Sequence, residues 1–283
     1  MLRGIIVVFF IIGASVTSFS QEANRLKILS WNIHMLPGNI YQATKKIKRA
    51  RLIAEQLCKR EDDVIVFQEA FHFRARRVLK KRLKEKFPYI YQPLNFQFLS
   101  AKTNAGVWVL SKIKLTQIQT VKFDSSSGSS RWARKGAVLF EGDLDGNIFQ
   151  LIGTHTNGGY VNNSQFRQIA NELIIPYQKN KVPQIICGDL NCSMSNLKDY
   201  NSMLTILNAK DESTTGGYNY SNYEKTAVID YILLKDNNST IDQDYKRILL
   251  IGSDWQVGKR KYPKTVGLSD HMPLEIAYSF KSN

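Results

Sequence analysis

The feature that most constrains this chain is a recurring one: a short apolar run that stops at a polar residue. Lys27 to Trp31 runs into Asn32, and Val64 to Gln68 into Glu69. Phe149 to Thr154 runs into His155, and Gln184 to Cys187 into Gly188-Asp189-Leu190-Asn191. Apolar runs this short, with no polar face, read as strands buried on both sides. Further strands are expected over Ala105 to Leu110, Gly136 to Glu141, Ala227 to Leu234 and Leu274 to Ser279, with a hairpin turn at Asp145-Gly146-Asn147.

Helical spacing (Ile47, Ala50, Ile53, Ala54, Leu57) predicts a helix over Lys45 to Cys58. A basic helix is expected from Phe73 to Phe87, ended by Pro88, and another over Ser164 to Gln178. Helices fall between strands early on, while some strand pairs follow one another directly. That order favours an α/β arrangement of mixed sheets with helices outside, best satisfied by two stacked sheets covered by helices. No Pro/Gly/Ser linker divides the 283 residues, and 43% of them are hydrophobic, so one catalytic domain over residues 21–283 is expected.

The first 20 residues read as a signal peptide. Arg3 precedes an apolar run from Ile5 to Ile12, too short to span a bilayer, and Ser18-Phe19-Ser20 precedes Gln21 as a small-x-small cleavage site. The mature protein is therefore expected to be secreted or periplasmic, and a monomer. Three cysteines (Cys58, Cys187, Cys192) are not a disulfide framework, although one bridge is compatible with export. A formal net charge of +15 suits polyanions, with nucleic acid and anionic lipid both candidates. The basic clusters are Lys45 to Arg51, Arg74 to Lys86 and Lys259 to Lys261; the first two fall on expected helices and read equally well as solvated faces.

The polar residues that end these runs carry the chemistry. Glu69 closes a buried strand, where a carboxylate needs a partner; an arginine nearby or a cation would serve. An oxygen-only ligand set suits a hard cation such as Mg²⁺ or Mn²⁺. Asn32 is either part of that set or a turn cap. His155 and His271 are two of only four histidines, and both sit at strand ends beside small or acidic residues. Asp189 and Asn191 are two apart, which in an extended segment turns both to one side. Asp189 can then handle a water proton while Asn191 holds a phosphate oxygen. Asp230, in the run Val228 to Leu234, wants either a histidine or backbone amides. Together the islands describe a metal-assisted phosphoester hydrolase.

In this order the islands resemble the endonuclease/exonuclease/phosphatase superfamily. The resemblance spans about Leu26 to Phe280 and is strongest to the secreted bacterial neutral sphingomyelinases. It is carried by Leu29-Ser30-Trp31-Asn32-Ile33-His34-Met35-Leu36, Glu69-Ala70-Phe71, Ile152-Gly153-Thr154-His155, Gly188-Asp189-Leu190-Asn191, Asp230-Tyr231-Ile232 and Ser269-Asp270-His271-Met272-Pro273. The resemblance implies a four-layer α/β/β/α sandwich. It also implies a central divalent cation, Mg²⁺ with Mn²⁺ or Co²⁺ as substitutes, held by Asn32 and Glu69. His155, Asp189 and Asn191 would surround the phosphate, Asp230 would orient His271, and Asp270 would support a second cation or a bridging water.

The implied substrate is sphingomyelin or a related sphingophospholipid at a membrane surface, with Phe71, Trp255 and Tyr262 as contacts. A DNase-like nuclease and a phosphoinositide-type phosphatase are the alternatives. The resemblance also implies an aromatic-rich hairpin before the final Asp-His. Here Trp255 to Lys264 keeps Trp255 and Tyr262 but is dominated by cations. That argues against deep bilayer insertion and leaves electrostatic docking on anionic membranes, or on a nucleic-acid backbone.

Overall fold

Period-two alternation sorts the side chains of each central strand between two different cores. The computed structural model describes residues 24–37, 45–97, 102–126, 128–159, 162–222, 227–239, 241–257, 259–262 and 264–281. The expected signal peptide lies outside the described residues. One sheet has the order β3 (Tyr89–Ile90), β4 (Trp108–Ser111), β2 (Val64–Gln68), β1 (Arg25–Asn32), β14 (Leu274–Phe280), β11 (Ile241–Ile248) and β9 (Gly216–Gly217). The second has the order β10 (Asp230–Lys235), β8 (Gln184–Asp189), β7 (Asn147–His155), β6 (Gly136–Leu144) and β5 (Leu115–Lys122). A separate hairpin joins β12 (Trp255–Val257) to β13 (Arg260–Tyr262). Helices α1 (Lys46–Cys58) and α2 (Phe73–Leu83) precede the middle of the chain, and α3 (Asn162–Ile169) and α4 (Leu197–Leu207) follow it.

Three buried clusters define four layers. Leu26, Ile28, Val64 and Val66 of the first sheet meet Leu151, Ile185, Cys187 and Ile232 of the second. The intervening residues point the other way: Leu29, Trp31, Ile65 and Phe67 pack under Ala50, Ile53, Leu57 and Leu79 of α1 and α2. Ile152, Ile186, Tyr231 and Leu233 pack under Phe166, Ile169, Met203 and Leu207 of α3 and α4. The α/β/β/α sandwich expected from the resemblance is the observed architecture. Apolar runs without a polar face are what a strand needs when both of its faces are covered.

The same alternation places the site. Asn32, His155, Asp189 and Asp230 share strand parity with the residues between the sheets, so all four project into the inter-sheet layer at its polar end. Strand β1 runs parallel to β2, with Asn32 opposite Gln68. Strand β7 runs parallel to β8, with His155 opposite Asp189, and β10 runs antiparallel to β8, with Asp230 opposite Asp189. His155, Asp189 and Asp230 thus form one row across three adjacent strands.

Several elements differ from the sequence expectations. The helix expected to reach Phe87 stops at Leu83, and the one expected to reach Gln178 gives way at Ile169 to a wider π-turn over Ala170–Ile174. Asp230 opens β10 rather than sitting inside a run from Ala227. All three cysteines are free thiols, two of them buried.

The row depends on Gly188. Its φ is +153°, and a Cβ there would stand 1.9 Å from the Thr154 carbonyl oxygen of the neighbouring strand. Only glycine lets β8 approach β7 this closely. Gly188→Ala is therefore expected to cost about 3 kcal/mol of stability. Thermal unfolding of the variant checks this, and an unchanged midpoint would contradict it.

Candidate functional site

Loop ends held by buried side chains deliver the site. The Trp31 indole N–H donates to the His271 carbonyl at 3.0 Å, and the Ser269 hydroxyl donates to the Asn32 carbonyl at 2.7 Å, joining the β1 end to the last island. Arg49 of α1 is 4% exposed. Its guanidinium donates to the carbonyls of Ile33 (2.9 Å), Leu268 (2.8 Å) and His34 (2.6 Å). Arg76 of α2 donates to the carbonyls of Ala70 and Phe71, directly after Glu69. These two arginines are clamps, not solvated charges. Burial pushes both guanidinium pKa values down to about 10, and both stay charged at neutral pH.

Asp189 is the junction of the site. It is 2% exposed. One carboxylate oxygen accepts the Asn32 amide at 3.0 Å; the other accepts the Asn191 backbone N–H at 3.0 Å. That second bond corrects the expectation for Asn191. The strand ends at Asp189 and Asn191 has φ +47°, so a tight turn, not extended alternation, brings the two together. The Asn191 side-chain amide donates to the Thr156 carbonyl at 2.9 Å and keeps one hydrogen for another partner. Burial, then the charge of Asp230, raises the Asp189 carboxyl to about 6.

His271 stands between two aspartates. Its Nδ1 bonds to Asp230 at 2.8 Å, and its Nε2 lies 3.8 Å from Asp189. Asp230 is in turn fixed by the Ser221 hydroxyl, which accepts its backbone N–H at 3.1 Å. Burial opposes a charge on the imidazole, but Asp230, Asp189 and Asp270 outweigh it and push the pKa up to about 10. The pairing fixes the tautomer: the proton toward Asp230 is retained, and Nε2 is the nitrogen left for chemistry.

His155 behaves oppositely. It is 3% exposed, and the Lys135 ammonium donates to its Nε2 at 3.0 Å and to the Thr156 carbonyl at 2.9 Å. An ammonium can only donate, so Nε2 accepts and the ring proton is assigned to Nδ1, which has no hydrogen-bond partner among the described residues. Burial, then the charge of Lys135, lowers the His155 pKa well below its usual value. Burial also brings Lys135 down to about 8. Lys135 is a residue that the sequence analysis missed. Its signal was its place, at the entry to β6, the strand paired with β7 beside His155.

Glu69 has φ +51°, a strained backbone for a non-glycine residue. One of its carboxylate oxygens is buried and has no hydrogen-bond partner among the described residues, and the same holds for one oxygen of Asp230. Burial, then the charges of Asp270 and Asp189, raises Glu69 to about 7. A buried carboxylate oxygen without a protein partner, close to the charges of Asp270 and Asp189, fits a divalent ion at Glu69. Atoms of Asp189, Asp230 and His271 also lie within 4.8 Å of one another, a spacing that a metal could bridge. In that trio the His271–Asp230 bond occupies one oxygen of Asp230 and leaves the other unpartnered among the described residues, as at Glu69. Asn32 Oδ1 accepts the His34 N–H at 3.1 Å and retains a second lone pair. Asp270 sits at the rim, 3.3 Å from His34.

The three expected contact residues separate. Phe71 is half-buried, with its ring against Gly106. Trp255 is 9% exposed and stacks on Tyr262 with ring centres 4.4 Å apart. It belongs to the core beneath α1, with Trp31 and Leu268. Trp255 is thus a packing residue rather than a membrane contact. Lys259, Arg260 and Lys261 of the hairpin are exposed, as is Gln256.

A two-sheet sandwich with an acid–imidazole pair and a buried acidic seat at its strand ends defines a hydrolase-type centre. The chain belongs to the Endonuclease/Exonuclease/phosphatase family, whose profile matches residues 29–271. It is 31% identical to Sphingomyelinase C 2 of Leptospira interrogans over 255 residues, covering 76% of this chain and 40% of that protein. The chain therefore spans well under half the length of that relative. It is 25% identical to Sphingomyelinase C of Listeria ivanovii, covering 91% of this chain and 88% of the other. Among solved structures, a variant of Staphylococcus aureus beta toxin with bound magnesium ions superposes with a TM-score of 0.76 at 23% identity, covering 90% and 99% of the two chains.

Proposed function

We propose that this protein is an exported, Mg²⁺-dependent phosphodiesterase that cleaves sphingomyelin or a related sphingophospholipid to ceramide and a phosphorylated headgroup. The observation that carries the reading is His271, held at Nδ1 by Asp230 and turned by Nε2 toward Asp189, beside the unpartnered oxygen of Glu69. The similarity to sphingomyelinases of two bacteria supports the substrate class, and the magnesium in the beta toxin variant supports the ion. No described helix is long and apolar enough to cross a membrane.

Glu69 and Asn32 would hold the divalent ion, which polarises a phosphoryl oxygen and offsets the charge of the diester when bound. The chain's own groups do the rest. Asp230 keeps the His271 ring in one tautomer and one orientation. A water or a leaving oxygen placed between His271 Nε2 and Asp189 touches both, and the proton moves at Nε2. The free hydrogen of the Asn191 amide and the positive charge of Lys135 are directed at the phosphoryl oxygens. Helices α1 and α2 keep the loops carrying His34 and Glu69 in register through Arg49 and Arg76.

Offering sphingomyelin vesicles and double-stranded DNA in parallel to the purified protein in Mg²⁺ tests the reading. Release of the headgroup from the vesicles, stopped by EDTA, is the expected result. Cleavage of DNA without lipid turnover would replace the lipid reading with the nuclease one.

A further inference from the structure

Among the described residues, Phe73 and Phe96 are exposed aromatic side chains that lie off the hairpin. They flank a groove of about 360 Å³ between α2 and the β3–β4 edge, lined by Phe73, Arg77, Lys80, Tyr91, Phe96 and Trp108 among others. Phe73 is 60% exposed and Phe96 is 48% exposed, large values for phenylalanine. No lining residue is acidic. The Arg77 guanidinium lies over the Phe73 ring at 5.8 Å. Neither Arg77 nor Lys80 has a carboxylate partner among the described residues, whereas Arg82 and Lys86 pair with Glu55 and Glu61.

We infer that this groove is a docking surface for anionic phospholipid, which seats the protein on a membrane beside its active site. The inference rests on the phosphodiesterase reading above and adds the surface and the lipid class to it. Exposed rings beside unpaired cations match the boundary between headgroups and acyl chains: the rings enter the apolar layer and the cations meet lipid phosphates. The position is also right. The wall of the groove includes Arg76, whose guanidinium holds the carbonyls of Ala70 and Phe71 next to Glu69, so a docked surface lies close to the reaction centre. The hairpin offers Lys259, Arg260 and Lys261, while its described rings, the buried Trp255 and the partly buried Tyr262, are stacked on one another. A nucleic acid would also use rings and cations. The groove, however, is walled mainly by apolar side chains, which favours an acyl-chain boundary.

Vesicle flotation of the whole protein in EDTA isolates docking from catalysis. The vesicles are phosphatidylcholine, with and without phosphatidylglycerol. The variants are Arg77→Gln/Lys80→Gln, Phe73→Ser/Phe96→Ser and, on the hairpin, Lys259→Gln/Arg260→Gln/Lys261→Gln. Each basic side chain at an anionic surface contributes about fivefold in affinity, so the first variant is expected to bind phosphatidylglycerol vesicles about 25-fold more weakly. The phenylalanine variant is expected to lose binding to both kinds of vesicle. Both should hydrolyse a soluble chromogenic phosphodiester in Mg²⁺ at the wild-type rate.

Unchanged flotation of the groove variants would overturn the inference, as would a loss confined to the hairpin variant. A wild type that cleaves the soluble diester yet fails to float overturns docking and leaves the enzyme reading standing. A wild type that floats through the groove but cleaves no diester does the reverse.

Discussion

Replacing His271 by Ala is expected to lower headgroup release by a factor of about 10³, within the range that a positioned proton-transfer group contributes. Asp230→Asn is expected to come close to the same loss for a different reason. The carboxylate at 2.8 Å fixes the ring by accepting the Nδ1 proton. An Asn amide turned the other way would donate to that nitrogen and move the ring proton to Nε2, the position needed for chemistry. Because the two residues act as a unit, the double variant should be little worse than either single one. Additive losses would show that Asp230 and His271 act separately. Asp230 also carries part of the positive shift on His271, which is pushed up to about 10. In the metal-free protein the stability that the pair contributes is complete below pH 6.5 and is lost as pH rises through about 10; Asp230→Asn should weaken that dependence, leaving the part due to Asp189 and Asp270.

Glu69→Gln is expected to abolish hydrolysis and, at the same time, to stabilise the metal-free protein. Burial, Asp270 and Asp189 raise the Glu69 carboxyl from 4.5 to about 7. A raised carboxyl binds its proton more tightly in the folded state. Its contribution is therefore fully favourable below pH 4.5 and is lost as pH rises through about 7. At pH values above about 8 the ionised group costs on the order of 3 kcal/mol, and removing its charge should raise the melting temperature by several degrees. Mg²⁺ should stabilise the wild type more at high pH than at low pH, because the ion competes with a proton at Glu69. The gain should vanish in Glu69→Gln. Scanning fluorimetry across pH, with and without Mg²⁺, reads all of this. A variant that is less stable than the wild type at every pH would mean that Glu69 is a structural partner of a nearby arginine.

What was legible in the sequence follows from strand parity. Runs with no polar face could only be strands covered twice, and Asn32, His155, Asp189 and Asp230 stand at strand ends with the parity of the residues between the sheets. Glu69, past the end of β2 with φ +51°, and His271, ahead of β14, could be picked out only as polar residues beside a run. The missing strands lack that signature. β5 (Leu-Thr-Gln-Ile-Gln-Thr-Val-Lys) and β11 (Ile-Asp-Gln-Asp-Tyr-Lys-Arg-Ile) are half polar, and each carries a bulge that breaks the alternation, at Gln117/Gln119 and at Gln243/Tyr245. The helix α4 was also passed over.

Charge was the least legible property. Arg49 and Arg76 sit in strings of lysine and arginine that look solvated, yet their partners are backbone carbonyls supplied by distant loops. A helical projection would have separated them. Arg49 falls on the inward face with Lys46, Ala50 and Ile53, and Arg76 on that with Ala75, Leu79 and Leu83. Trp255 could not be distinguished from a membrane anchor without knowing that α1 covers it.

The central claim is that the Asp189–His271–Asp230 cluster beside Glu69 directs water at the phosphorus of a sphingophospholipid. Hydrolysing sphingomyelin vesicles in water enriched with heavy oxygen, followed by mass spectrometry of both products, tests it most directly. Heavy oxygen in the phosphocholine and none in the ceramide, with no turnover by His271→Ala, is the predicted result. Label in the ceramide, or equal turnover by His271→Ala, would contradict the account.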